Sequence, residues 1–199
     1  MTHAALSSED PRTERVKHAL RNTLFIALQN EPLHQLTVST LTRKAKVSRG
    51  VFYKHFETLD DLVVDTLVQK IEGALANTFP FREGPIPYLQ ALFHFVTLHR
   101  QIYIHIYPSK ASEKIHQDFQ QRLDPVCYYY AKRAITQGFV ATETALDTTM
   151  VFLRGGLLAL LEDWIKRNPY HSAAQAEQEA EHFVRLILQF LEPEMFQTA

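Results

Sequence analysis

Residues 37–56 read TVSTLTRKAKVSRGVFYKHF. Thr37 can cap a first helix by accepting hydrogen bonds from its free N–H groups. Val38, Leu41 and Ala45 then fall at i, i+3 and i+7, one apolar stripe of helical period. Lys46–Val47 breaks the stripe, and Ser48 can cap a second helix. There Val51 and Phe52 turn inward and Phe56 follows one turn later, which leaves Arg49, Gly50, Tyr53, Lys54 and His55 facing outward. A short helix that is apolar beneath and carries Arg, Tyr, Lys and His above suits a DNA major groove.

Working outward, the sequence predicts a helix from Pro11 to about Asn30, with Val16, Leu20, Leu24 and Leu28 on one side. Glu31–Pro32 ends it, because a proline disfavours helix in the residue before it. This helix backs the other two. Met1–Asp10 reads as a polar tail with no signal peptide. On the far side, Thr58–Asp61 has the form of a capping box opening a helix to about Thr78, the mechanical link out of the head.

The segment and its flanks, from about Arg15 to Leu62, resemble the TetR family of bacterial transcriptional regulators, most specifically in AKVSRGVFYKHFETLDDL. The resemblance implies an all-α protein of about nine helices. A three-helix helix-turn-helix domain would occupy residues 1–57. A helical effector-binding and dimerisation domain would occupy residues 58–199. It also implies a homodimeric cytoplasmic regulator, by family default a repressor released by a small molecule. Two positions depart from the pattern. Lys46 stands where a turn glycine is usual, which implies left-handed backbone strain. Leu59 stands where a phosphate-gripping lysine is common, which puts that contact in doubt.

Charge is distributed to match. The net charge is −1, but residues 1–56 hold nine Lys/Arg and four Asp/Glu, a net of +5, and residues 57–199 hold twelve and eighteen, a net of −6. A basic head on an acidic body is what a DNA-binding module fused to a different module shows. The single cysteine, Cys127, excludes an intrachain disulfide and reads as a small buried hydrophobe. No apolar run approaches the roughly 20 residues of a membrane span.

The body reads as helices over Tyr88–His99, Arg100–Tyr107, Ser112 to about Gln137 (kinked or split at Pro125), Thr142–Arg167 and Ser172 to about Leu191, with 79–87 a loop. In Thr142–Arg167 the residues Leu146, Met150, Leu153, Leu157, Leu160 and Trp164 recur at steps of four and three, a coiled-coil-like seam interrupted by Gly155–Gly156. Phe183, Ile187 and Phe190 lie on a stripe of the last helix. On the residues alone these stripes suit an internal core as well as a dimer surface; with the family resemblance, the expected dimer interface is Leu146, Met150, Leu153, Gly156, Leu157, Leu160, Phe183, Ile187 and Phe190, the two last helices pairing with their copies as a four-helix bundle.

A two-fold dimer reads a palindromic duplex. The residues expected on double-stranded DNA are Thr37, Arg43, Lys44, Ser48, Arg49, Gly50, Tyr53, Lys54 and His55. Arg49 is the first choice for a base contact, since its fork can take guanine O6 and N7 together. By the family's alignment Tyr53 packs on the sugar-phosphate backbone. The aromatics of the body suggest a pocket for a small apolar or aromatic effector, with Phe93, His94, Tyr103, Tyr107, Tyr128 and Trp164 as candidate lining. Control by a docking protein partner is the alternative. His94, His99, His105 and His116 have spacings of 5, 6 and 11, which fit no zinc pattern. Neither a metal nor a cofactor is expected. The chain has no glycine-rich phosphate loop, no G-x-S-x-G and no H-E-x-x-H, so an enzyme is not expected.

Overall fold

The computed structural model describes residues 10–76, 78, 84–136 and 144–167, with His182 and Arg185. Every regular element among them is helical: α1 Pro11–Leu28, α2 Val38–Lys44, α3 Arg49–His55, α4 Leu59–Leu75, α5 Ile86–Leu98, α6 Arg100–Ile106, α7 Lys110–Thr136 and α8 Thr144–Arg167. Apart from His182 and Arg185, the expected last helix, and with it Phe183, Ile187 and Phe190, lies outside the described residues, as do 79–83 of the loop.

The starts of the first four helices follow from local chemistry. Asp10 accepts from the Arg12 N–H at 2.9 Å, and Pro11 opens α1 where a missing N–H costs nothing. Thr37 and Thr40 form a reciprocal capping box at α2. The Ser48 hydroxyl accepts from Val51 N–H at 3.2 Å. Thr58 and Asp61 cap α4 reciprocally, each backbone N–H meeting the other's side chain at 3.1 Å. Each cap removes an orphan donor and contributes on the order of 1 kcal/mol. A 3-10 turn, Leu33–Gln35, follows Pro32; it carries too few residues for its period to show in sequence.

One apolar cluster runs through the molecule from Leu20 to Leu161. Leu20, Leu24 and Leu28 of α1 meet Leu41 of α2, Phe52 of α3 and Leu62, Leu67 and Ile71 of α4. Helix α4 continues against α5 and α7, and α7 packs along α8. Arg21 of α1 holds Asp65 of α4 at 2.6 Å. Helix α7 runs unbroken through Pro125 rather than splitting there. Proline removes one N–H from the ladder. Arg122, one residue beyond the carbonyl left unmatched, receives the Tyr88 hydroxyl on its own carbonyl at 3.0 Å.

The predicted seam of α8 turns largely inward. Leu157 is 5% exposed, and Met150 and Leu153 are half-buried against the same subunit's core. Leu146 is half-buried, and Leu160 is exposed. The heptad count follows one stripe, yet α8 is apolar on two sides, and periodicity does not say which side α7 occupies. The outward side carries Val151 (59% exposed), Phe152 (77%) and Leu160 (45%). Gly155 and Gly156 lie between them, with no described atom within 4 Å of an added Cβ.

Candidate nucleic-acid interface and effector cavity

Helix α2 ends in a turn of definite geometry. Val47 N–H reaches Thr42 C=O at 2.9 Å and Lys46 N–H reaches Arg43 C=O at 3.3 Å. This is the Schellman arrangement, which needs a left-handed residue at its hinge. That residue is Lys46, at φ 56°. The expected strain is therefore present, and the lysine projects into solvent.

The hinge delivers α3 with Phe52 fully buried and Phe56 beneath it. On the outer side Arg49, Gly50, Tyr53 and Lys54 are exposed, Tyr53 at 52%. His55 is half-buried at the edge. Arg43 and Lys44 extend the exposed basic surface from α2. Lys44 also meets Glu31 at 3.4 Å, with both side chains about half exposed. Such a surface pair contributes little and is easily exchanged for a phosphate. Ser48 caps through its lone pair, which leaves its proton available to an acceptor. The Thr37 hydroxyl lies 3.0 Å from that of Thr40. An added Cβ at Gly50 would meet only the Ser48 hydroxyl at 4.0 Å, so the fold itself does not require glycine there. Leu59 packs against the core rather than facing outward, which removes the phosphate contact a lysine would make. Sequence reading missed Lys46 as part of this surface; the signal was available, since a lysine in a left-handed turn has only solvent to enter.

A cavity of about 820 Å³ opens between α6, α7 and α8. Of the six candidate pocket residues, Tyr103 and Tyr107 line it. Phe93 is fully buried in the core instead, and His94 is exposed. Tyr128 is 48% exposed, with the Lys132 ammonium 5.6 Å from its ring centre. The Trp164 side chain lies outside the described residues. The walls are Ile106, Ile115, Phe119, Leu158 and Leu161, and the polar groups include His116, Glu162 and Lys166. These residues are scattered over 60 positions of sequence, so no local pattern marks them as neighbours.

Of the four histidines, three have partners of their own. His99 lies edge-on to Phe25 and Phe95, at 4.9 and 4.7 Å, and burial holds its pKa below the usual value. His105 donates from Nδ1 to the Leu28 carbonyl at 2.7 Å. His116 meets Glu162 at 3.0 Å, and His94 is exposed. No group of three or more metal-ligating side chains comes together among the described residues. Cys127 is fully buried, which pushes its thiol up to about 11. No described helix is long and apolar enough to cross a membrane.

Three capped helices, the last two short and the third basic on its outer side, set on a helical body with a cavity, define a helix-turn-helix protein with a second helical module. No family model matches the chain, and no curated relative does. Solved structures match over most of its length. The dihydroxyacetone kinase operon activator DhaS is similar at TM-score 0.62 and 15% identity, over 89% of this chain and 96% of that one. NalD, the secondary repressor of the MexAB-OprM multidrug efflux pump in Pseudomonas aeruginosa, is similar at 0.59 and 17%, over 89% and 96%. A TetR transcriptional regulator from Rhodococcus sp. RHA1 is similar at 0.50 and 16%, over 88% and 97%. The chain has the fold of the TetR-type transcriptional regulators.

Proposed function

We propose that this protein is a homodimeric, sequence-specific DNA-binding transcriptional regulator, a repressor released when a small molecule enters the cavity of its body. The observation that carries the reading is the outer side of α3. Arg49, Gly50, Tyr53 and Lys54 are all exposed on a helix fixed from below by Phe52 and at its start by Ser48. A guanidinium, a phenol and an ammonium on one rigid surface supply base-edge and phosphate contacts together.

The two-fold pairing rests on the outward side of α8. Val151, Phe152 and Leu160 are large apolar side chains in water, with exposed glycines between them that allow close backbone approach. Apolar patches of this kind mark interaction surfaces. The effector reading rests on the cavity and its route to the head. The first turns of α7 supply Ser112, Ile115 and His116 to the cavity wall. The same turns bind the start of α4, where Ala111 N–H donates to Asp60 at 2.8 Å and Lys114 meets Asp61 at 3.0 Å. Asp60 lies four residues after Phe56 of the reading head. A ligand that favours one placement of α7 therefore favours one placement of α4 and shifts the separation of the two reading helices. The cavity favours a small molecule over a docking protein as the controlling agent.

Selection of bound sequences from a random duplex pool tests the reading. Enrichment of an inverted repeat is the expected result. Failure to enrich any repeat, with affinity indifferent to sequence, contradicts it.

A further inference from the structure

Helix α1 ends at Leu28, and a helix end leaves its last carbonyls without partners inside the helix. Two of them are met locally. The Asn30 side chain donates to the Ile26 carbonyl at 3.0 Å, and the Asn30 and Glu31 N–H groups donate to the Ala27 carbonyl at 2.9 Å each. The Leu28 carbonyl differs. Its helical donor would come from position 32, and Pro32 has no N–H. The body supplies the donor instead. His105 of α6 reaches the Leu28 carbonyl through Nδ1 at 2.7 Å, across 77 positions of sequence. A carbonyl only accepts, so Nδ1 carries the proton, and Nε2 accepts from the Gln101 amide at 2.8 Å, one turn back on the same helix. That second bond holds the ring and its tautomer.

Helix α6 is anchored at its other end too. Arg100, 7% exposed, donates through Nε and Nη2 to the Ile165 carbonyl of α8 at 2.9 and 2.7 Å. Bonds from a charged donor are about twice as strong as neutral ones. The same α8 carries the apolar side on which two copies pair in the reading above, so α6 is a strut from the pairing helix to the reading head. It also packs on the 3-10 turn Leu33–Gln35 that leads into α2. Chain continuity joins head and body through α4, and a second tie away from that helix fixes how the head is turned about it. Phe25 of α1 meets His99 across the same junction. Apolar packing of this kind is non-directional, whereas the His105 bond sets an angle. Tyr103, Ile104, Ile106 and Tyr107, on either side of His105, line the cavity, so the tie lies on a helix that a ligand there would touch.

We propose that His105 is a positioning residue for DNA reading: by tying the end of α1 to the body, it holds the two heads of a pair at the separation and angle that an inverted repeat requires. This rests on the regulator reading above.

The test titrates the full chain against two duplexes, the selected inverted repeat and the same duplex with one half-site scrambled. His105→Ala, and His105→Phe, which keeps a ring but not the donor, should each bind the single half-site as the wild type does. On the inverted repeat each should lose roughly fivefold or more, since every head gives up a neutral hydrogen bond worth roughly two- to tenfold and two heads compound the loss. His105→Asn, whose amide nitrogen can stand where Nδ1 stands, should recover most of it. Equal losses on both duplexes overturn the proposal, because the head itself is then damaged. So does an unchanged preference in either variant, an asparagine that recovers nothing, or a variant that sediments as a monomer, since the loss then comes from pairing. A wild type that prefers neither duplex to random DNA retires the regulator reading itself. One that prefers the inverted repeat, alongside variants that do the same, retires only the role of His105.

Discussion

Lys46 holds the head's turn at φ 56°, where an L-residue costs about 1–2 kcal/mol and glycine is unstrained. The hydrogen bonds from Lys46 and Val47 back to Arg43 and Thr42 over-determine that conformation. A strained cation beside a basic helix is the kind of position that persists when it serves a function. Lys46→Gly should therefore raise stability to denaturant by up to about 1 kcal/mol, after the entropy glycine adds to the unfolded chain. It should also reduce the salt dependence of DNA binding by about one phosphate's worth. Loss of stability would show that the turn is not strained; an unchanged salt slope would show that Lys46 does not reach the duplex. This residue also shows how much was legible. Its departure from glycine was visible in the sequence and so was its strain, and together they already placed the lysine in solvent; that it lies beside the basic side of α3 had to wait for the turn geometry.

At the scale of elements, the starts of α2, α3 and α4 were legible because each is written in three or four adjacent residues: Thr37 with Thr40, Ser48 with Val51, Thr58 with Asp61. What depends on distant partners was not. The side of α8 that α7 covers and the lining of the cavity are tertiary choices among apolar surfaces of similar hydropathy. The contact between α7 and α4 belongs to the same group. Asp60 accepts the Ala111 N–H in the first turn of a helix 51 residues further along, a donor that the local Ser109–Ser112 capping pair leaves open. Asp60→Ala should lower stability by about 1.5–3 kcal/mol, the range for a hydrogen bond to a charged group. It should speed amide exchange at the starts of α7 and α4 together, and Asp60→Asn should restore most of both. Faster exchange at α7 alone would show that the two helices are not coupled through this contact.

At the scale of the whole molecule, charge and shape agree: a head of net +5 carries a body of net −6. The basic surface suits the phosphate backbone, while the acidic body discourages wrapping by the same duplex. A single α3 of seven residues reaches only a few base pairs, so sequence discrimination in a genome needs two copies acting together. The exposed apolar side of α8 supplies a means of pairing them, and a two-fold pair holds its reading helices on one side of the duplex.

That geometry is tested most directly by helical phasing. Inserting about five base pairs, half of the roughly 10.5 in one turn, between the half-sites of the selected duplex moves one half-site to the opposite side of the double helix. Affinity should fall to that of a single half-site, and inserting a full turn should recover part of it or none, never less than the half turn. Equal affinity for the original duplex and the half-turn insertion would contradict the claim that a rigid symmetric pair presents α3 twice.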